Sequence, residues 1–107
     1  MVELGVFLPV GNNGWIMSES APQYMPTWEL NRDVSLLAEE IGLDYLFSMA
    51  KWRGVGGSTR FWDVSIESMT LMASLAPLTR RREAIRPLWA IIVLTRPVSG
   101  QAMEISR

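Results

Sequence analysis

The apolar positions of this 107-residue chain fall into short blocks whose spacing changes from one to the next. Leu4–Leu8 is a brief apolar run closed by Pro9 and Gly11, the pattern of a buried strand. From Trp28 to Ile41 the period becomes helical, with Leu30, Val34, Leu37 and Ile41 on one face and Ala38 beside them. Thr27 suits the N-cap of that helix, Glu29 its first turn and Gly42 its end. Asp44–Met49 reads as a second strand. A second helix follows over Ile66–Ala76, capped by Asp63 or Ser65. Its apolar residues lie on most sides, which predicts burial all round. Leu88–Leu94 is a continuous apolar run, as expected of a parallel strand covered on both faces. Pro97–Ile105 is the start of a possible third helix.

Strands alternating with helices predict an α/β fold with parallel strands and right-handed crossovers. A doubly wound sheet and a (β/α)8 barrel both satisfy that order. The connections are unequal. Pro9–Thr27 and Ala50–Asp63 are long and decorated, and both follow strands, whereas the return at Gly42-Leu43 is short. In either architecture the loops after strands build the functional face.

Composition narrows the chemistry. The chain carries no Cys and no His, so a disulfide framework, a thiolate nucleophile, a histidine base and a histidine zinc site are all excluded within it. No metal site is expected. A formal charge of −1 argues against a nucleic-acid partner. No apolar run approaches the ~18 residues of a membrane span. Met1–Val10 lacks a basic region and carries Glu3, so no secretory leader is expected. A cytoplasmic, soluble protein is the expectation.

Candidate chemistry gathers in the two long loops. Lys51, Arg53 and Arg60 share the second with Gly54, Gly56 and Gly57, a combination suited to a phosphate-bearing cofactor but more commonly found in a solvated surface loop. The glycines match neither a Walker A loop nor G-x-G-x-x-G, because position 59 is Thr. Trp52 and Trp62 flank them and could stack on a planar ring or simply pack. Asn12 and Asn13 follow the first strand and could bind a polar heterocycle or form a local turn.

Several blocks together carry a resemblance. Gly5-Val6-Phe7-Leu8-Pro9-Val10-Gly11-Asn12-Asn13-Gly14-Trp15 resembles the opening of the pyrimidine monooxygenases of the bacterial-luciferase-like class. Ala21-Pro22-Gln23-Tyr24-Met25-Pro26-Thr27 with Glu29-Leu30-Asn31 continues the match. So do Ser48-Met49, Lys51, Arg53-Gly54, Gly56-Gly57, Phe61-Trp62-Asp63, Glu67-Ser68 and Thr70-Leu71-Met72-Ala73. The resemblance is strong over 5–79 and degraded over 80–107, where Arg80–Arg86 is scrambled relative to the family. It implies a partial TIM (β/α)8 barrel, comprising the first three strand–helix units. It also implies reduced FMN supplied by a separate flavin reductase, O2 as co-substrate, and a uracil- or thymine-class substrate whose ring is oxidised and opened. Ala50 and Lys51 match the family's first FMN-contacting positions. Asn12, Asn13, Trp52 and Trp62 stand as substrate-pocket candidates, and no catalytic residue is assigned.

A barrel of this kind takes ~250 residues. Three strands leave an open sheet edge, which favours self-association and leaves the isolated chain inactive by expectation. Two other readings stay open: a non-catalytic truncated fragment, and a related sulfone or alkanesulfonate monooxygenase.

Overall fold

The computed structural model describes residues 2–51, 53–79 and 86–91. Over them the chain runs β1 (Gly5–Phe7), α1 (Trp28–Glu40), β2 (Tyr45–Ala50), α2 (Ser68–Leu75) and β3 (Arg86–Ile91). The three strands form one parallel sheet in the order β1-β2-β3. Gly5 pairs with Tyr45 and Phe7 with Phe47; Tyr45 pairs with Arg86 and Ala50 with Ile91. The α/β, all-parallel expectation is met among the described residues. Right-handed crossovers between strands that step in one direction place successive helices on one side of a sheet, and α1 and α2 touch.

Each helix begins where a side chain satisfies its free amides. The Thr27 hydroxyl accepts from Leu30 N at 3.1 Å, as the sequence predicts. Gly42 follows α1 with φ +83°, a value that costs glycine nothing. The cap of α2 is neither Asp63 nor Ser65. Glu67 takes that place, its carboxylate accepting from Met69 N at 3.0 Å and Thr70 N at 2.7 Å, and the helix starts two residues later than expected. A carboxylate at N-cap answers two amides at once, which Asp63, four residues further from α2, cannot do.

The buried faces also differ from the apolar pattern. In α1 the buried residues are Asn31, Ser35 and Ala38, while Leu37 and Ile41 are exposed. These side chains are small and two of the three are polar; their hydroxyl and amide N–H groups are bonded, while Asn31 Oδ1 is buried without a partner among the described residues. Asn31 Nδ2 donates to Pro9 O at 3.2 Å and Thr27 O at 3.0 Å, and Ser35 Oγ donates to Asn31 O at 2.7 Å. In α2 only Ser68, Leu71, Met72 and Leu75 are buried, and Met69 faces solvent, so burial on all sides does not hold. The core joins Leu8, Val10, Ala38, Leu46, Met49, Leu71, Met72 and Leu75, with Val6, Trp28, Val34 and Ile66 packed on it. Burying such side chains contributes about 1.5–3 kcal/mol each.

β3 begins at Arg86, two residues before the predicted start, and takes in Pro87. Proline donates no ladder bond and is tolerated near the start of a strand or at a sheet edge. The possible helix over Pro97–Ile105 lies outside the described residues, as do the last three positions of the predicted third strand. No helix among the described residues is long and apolar enough to cross a membrane.

Candidate functional site

Both long loops leave the carboxyl ends of neighbouring parallel strands, and the structure binds them to each other. Ile66 N donates to Val10 O at 2.9 Å, Asn12 N to Val64 O at 2.9 Å, and Gly11 and Ser65 form an antiparallel bridge. Asparagine side chains extend this ladder. Asn12 Nδ2 donates to Arg60 O at 2.9 Å, and its Oδ1 accepts from Val64 N at 3.0 Å. Asn13 Nδ2 donates to Thr59 O at 3.0 Å, and its Oδ1 accepts from Tyr24 N at 2.9 Å. Trp62 Nε1 donates to Gly14 O at 2.7 Å. Asn13 adopts φ 64°, a left-handed conformation that Asn tolerates better than most residues. Gly14 has φ +57°, and a Cβ there would run into the Tyr24 hydroxyl.

An aromatic chain crosses the same end of the sheet. Phe47 meets Phe7 edge-on at 4.3 Å between ring centroids. Phe7 meets Trp15 at 4.1 Å, Trp15 meets Trp62 edge-on at 5.1 Å, and Trp62 stacks on Phe61 at 4.7 Å. Edge-to-face and offset geometries of this kind suit the ring quadrupoles. Beyond Trp62 the glycine segment closes on itself. Val55 N and Gly56 N both donate to Phe61 O, at 2.8 and 3.2 Å, and Phe61 N donates back to Gly56 O at 3.1 Å. The amides of Val55, Gly56 and Phe61 are thereby spent inside the turn rather than offered to an anion.

Beside this wall lies an open cleft of about 140 Å³ lined by Ala50, Lys51, Ser65, Ile66, Glu67 and Ser68. β2 delivers Ala50 and Lys51 from its carboxyl end, and α2 delivers Glu67 and Ser68 from its first turn. The buried Ser68 hydroxyl is hydrogen-bonded to the Ser48 hydroxyl of β2, which locks the two walls together. Lys51 is half-buried. Burial pushes its ammonium below the ordinary 10.5, and the Asp63 carboxylate opposes that shift. Glu67 is held below its ordinary 4.5 by its hydrogen bonds to Thr70 and then Met69. Because that carboxylate already answers the first amides of α2, this helix end is no seat for a phosphate. Among the described residues no group of His, Cys, Asp and Glu could hold a metal ion.

The structure therefore brings Ala50 and Lys51 together in the cleft and sets Asn12, Asn13 and Trp62 in the wall behind it. Asn12 and Asn13 are 6% and 5% exposed, and both atoms of each amide are engaged by backbone. Trp62 is half-buried between Phe61 and Trp15. Trp52 lies outside the described residues.

Comparison with known proteins decides the kinship. No family model matches the chain. Pyrimidine monooxygenase RutA of Methylorubrum extorquens is 59% identical over 80 residues, 75% of this chain and 22% of that protein. RutA of Variovorax paradoxus is 54% identical over 104 residues, 97% of this chain and 28% of that protein. RutA of a Caulobacter species is 55% identical over 80 residues. The chain is a homologue of the pyrimidine monooxygenases. It spans about a fifth to a quarter of the length of these curated relatives. The Variovorax match, at 97% of the chain, extends well past the 80 residues shared with the other two.

Four residues of this region line the cleft without having been singled out for it from the sequence. Ser65, Ile66, Glu67 and Ser68 complete the cleft opposite Ala50 and Lys51. Ser68 stands in a block quoted for the family resemblance, but a serine in the first turn of a helix gives no signal that its hydroxyl reaches a strand 20 residues earlier.

Proposed function

We propose that this chain supplies the first three strand–helix units of a flavin-dependent pyrimidine monooxygenase built on a (β/α)8 barrel. Its identity of 54–59% to pyrimidine monooxygenases over 75–97% of its own length carries that reading. Register spacing supports the barrel. Successive strands pair at intervals of about 40 residues, Gly5 with Tyr45 and Tyr45 with Arg86. Eight such units would occupy about 320 residues, within the 200 to over 400 known for such barrels. An 80-residue match that makes up 22% of a relative implies a protein of roughly 360 residues, which leaves room for them.

In this reading the cleft faces one edge of the flavin. Ala50 and Lys51 suit that position. A small side chain permits close approach of a planar ring, and the half-buried ammonium can donate to an electron-rich carbonyl edge. The cleft's volume of about 140 Å³ suits part of an isoalloxazine, not a whole FMN, since ligand pockets are typically ~300–1,000 Å³. The phosphate would be held by segments beyond this chain. When bound, reduced FMN supplies the activation of O2 that lets a uracil-class ring be oxidised and opened, the reducing equivalents coming from a separate reductase in the cytoplasm. The chain's own part is to hold the ring edge at Lys51 and to wall off water with the Phe47–Phe7–Trp15–Trp62 aromatic series. By itself the 107-residue chain provides three of eight strands and is inactive. The names of its relatives favour a pyrimidine over a sulfone or alkanesulfonate substrate.

The test is an FMN titration by fluorescence quenching on two proteins: this chain, and a complete barrel carrying it. In the barrel, Lys51→Ala should cost about tenfold to a hundredfold in FMN affinity or uracil oxidation, the worth of one charge-assisted hydrogen bond. The isolated chain should bind weakly. Unchanged uracil oxidation in the Lys51→Ala barrel overturns the role given to Lys51, and a barrel that leaves uracil untouched overturns the substrate.

A further inference from the structure

We propose that Asn12 is a positioning residue, which sets the Ser65–Ile66 wall of the cleft through the backbone of Val64 and makes no contact with the ligand itself. The proposal rests on the reading of the Ala50–Lys51 cleft as the flavin side of the sheet.

The geometry leaves Asn12 little else to do. It is 6% exposed, and it is absent from the cleft lining. Its main-chain amide donates to Val64 O, its Oδ1 accepts from Val64 N, and its Nδ2 donates to Arg60 O, at 2.9, 3.0 and 2.9 Å. Three bonds from one residue thus hold a segment about 50 positions away in sequence. That segment needs holding. Arg60 and Trp62 adopt φ 51° and 60°, conformations that non-glycine residues seldom take unless tertiary bonds impose them. Immediately after Val64 come Ser65 and Ile66, which bridge to Gly11 and Val10 and form one side of the cleft opposite Ala50 and Lys51. Displacing Val64 moves the Ser65–Ile66 end of that side, while the opposite side stays fixed by the pairing of β2 with both neighbouring strands.

Two substitutions separate positioning from ligand contact. Asn12→Ala removes both side-chain bonds. Asn12→Asp keeps an acceptor for Val64 N and, read at a pH where its carboxyl is protonated so that no carboxylate oxygen is set against Arg60 O, isolates the bond to Val64. In the isotopically labelled 107-residue chain, amide hydrogen exchange and amide NMR shifts are followed with and without added FMN. The expected result is roughly tenfold faster exchange of the Val64 amide in Asn12→Ala, the scale of one ordinary hydrogen bond. Shifts of Ser65, Ile66 and Lys51 should accompany it. Asn12→Asp should keep Val64 protected and restore those shifts towards the parent values. FMN should perturb Ser65, Ile66 and Lys51 but leave the Asn12 side-chain amide protons in place. If Asn12→Ala does not fold, the Asn12→Asp comparison alone decides: loss of Val64 protection there overturns the proposal. So do unchanged Ser65 and Ile66 shifts in a folded Asn12→Ala chain, or FMN shifting the Asn12 amide protons directly. In a complete barrel carrying this segment, failure of FMN to perturb any of these residues sinks the flavin reading, while the Val64 exchange result still stands or falls on its own.

Discussion

Trp62 offers the sharpest quantitative test of the wall, because its contacts can be removed in two steps. Trp62→Phe keeps an aromatic ring against Phe61 and Trp15 and deletes the Nε1 donor to Gly14 O. That hydrogen bond is worth about 0.5–1.5 kcal/mol, with some further loss because the smaller ring meets Trp15 less fully. The positive φ of 60° penalises Phe and Trp alike and cancels in the comparison. The expected loss is about 1–2 kcal/mol. Trp62→Ala removes both ring contacts and the burial as well, which brings the loss to about 3–4 kcal/mol, in the usual range for truncating a packed Trp. Urea unfolding followed by far-UV circular dichroism reads both. With a slope of ~1.5 kcal/mol per molar, Trp62→Phe should lower the midpoint by about 1 M at unchanged slope. A Phe variant as stable as the parent, or an Ala variant no worse than Phe, would refute the assignment of Trp62 to the wall. It would return the residue to the substrate pocket that the sequence also allowed.

Further outcomes follow from the caps, the titrating groups and the exposed surface. Thr27→Ala should destabilise the chain by about 1 kcal/mol through loss of the bond to Leu30 N, read in the same urea experiment, with Thr27→Ser near the parent. Glu67 has a lowered carboxylate, so its stabilisation is present above its ordinary 4.5 and is lost as pH falls from there through the folded value. Glu67→Gln should flatten that acid limb of a stability–pH profile. Lys51 is also lowered, so in the window between its folded value and 10.5 the unfolded chain binds more protons and stability rises with pH. Lys51→Met should abolish that rise. Val2, Leu4, Leu36, Leu37 and Ile41 are exposed, and sedimentation of the 107-residue chain should show association; a monodisperse monomer at all concentrations would count against it.

What the sequence disclosed follows from the range of the interactions involved. β2 and α1 were legible to within a residue or two because their signals are local: an apolar run, a helical period, Thr27 ahead of it and Gly42 behind. The orientation of α1 was not, because its contact face uses Asn31, Ser35 and Ala38. Two of these are polar residues held by hydrogen bonds, and a hydrophobic period cannot see them. The start of α2 was misplaced because aspartate and serine are commoner caps than glutamate, and only the fold shows which carboxylate reaches the free amides. Loop position placed Ala50 and Lys51 at the carboxyl end of β2, where the cleft lies. Asn12 and Asn13 were singled out for a polar heterocycle or a local turn, yet their side chains bond mainly to backbone 46–52 positions away. No window of sequence contains both ends of such a bond.

The stapling of the two loops has a consequence for recognition. A loop that must be ordered when a ligand arrives subtracts its lost conformational freedom from the affinity, about 1–2 kcal/mol for each residue fixed. Here the segments around Asn12-Asn13 and residues 59–66 are held to each other by their own hydrogen bonds, none of which needs a ligand. The wall is preorganised, and that entropy is charged to folding. A ligand meeting it encounters a template that does not have to close, so any adaptive movement that admits a substrate and then encloses it must come from other parts of the molecule.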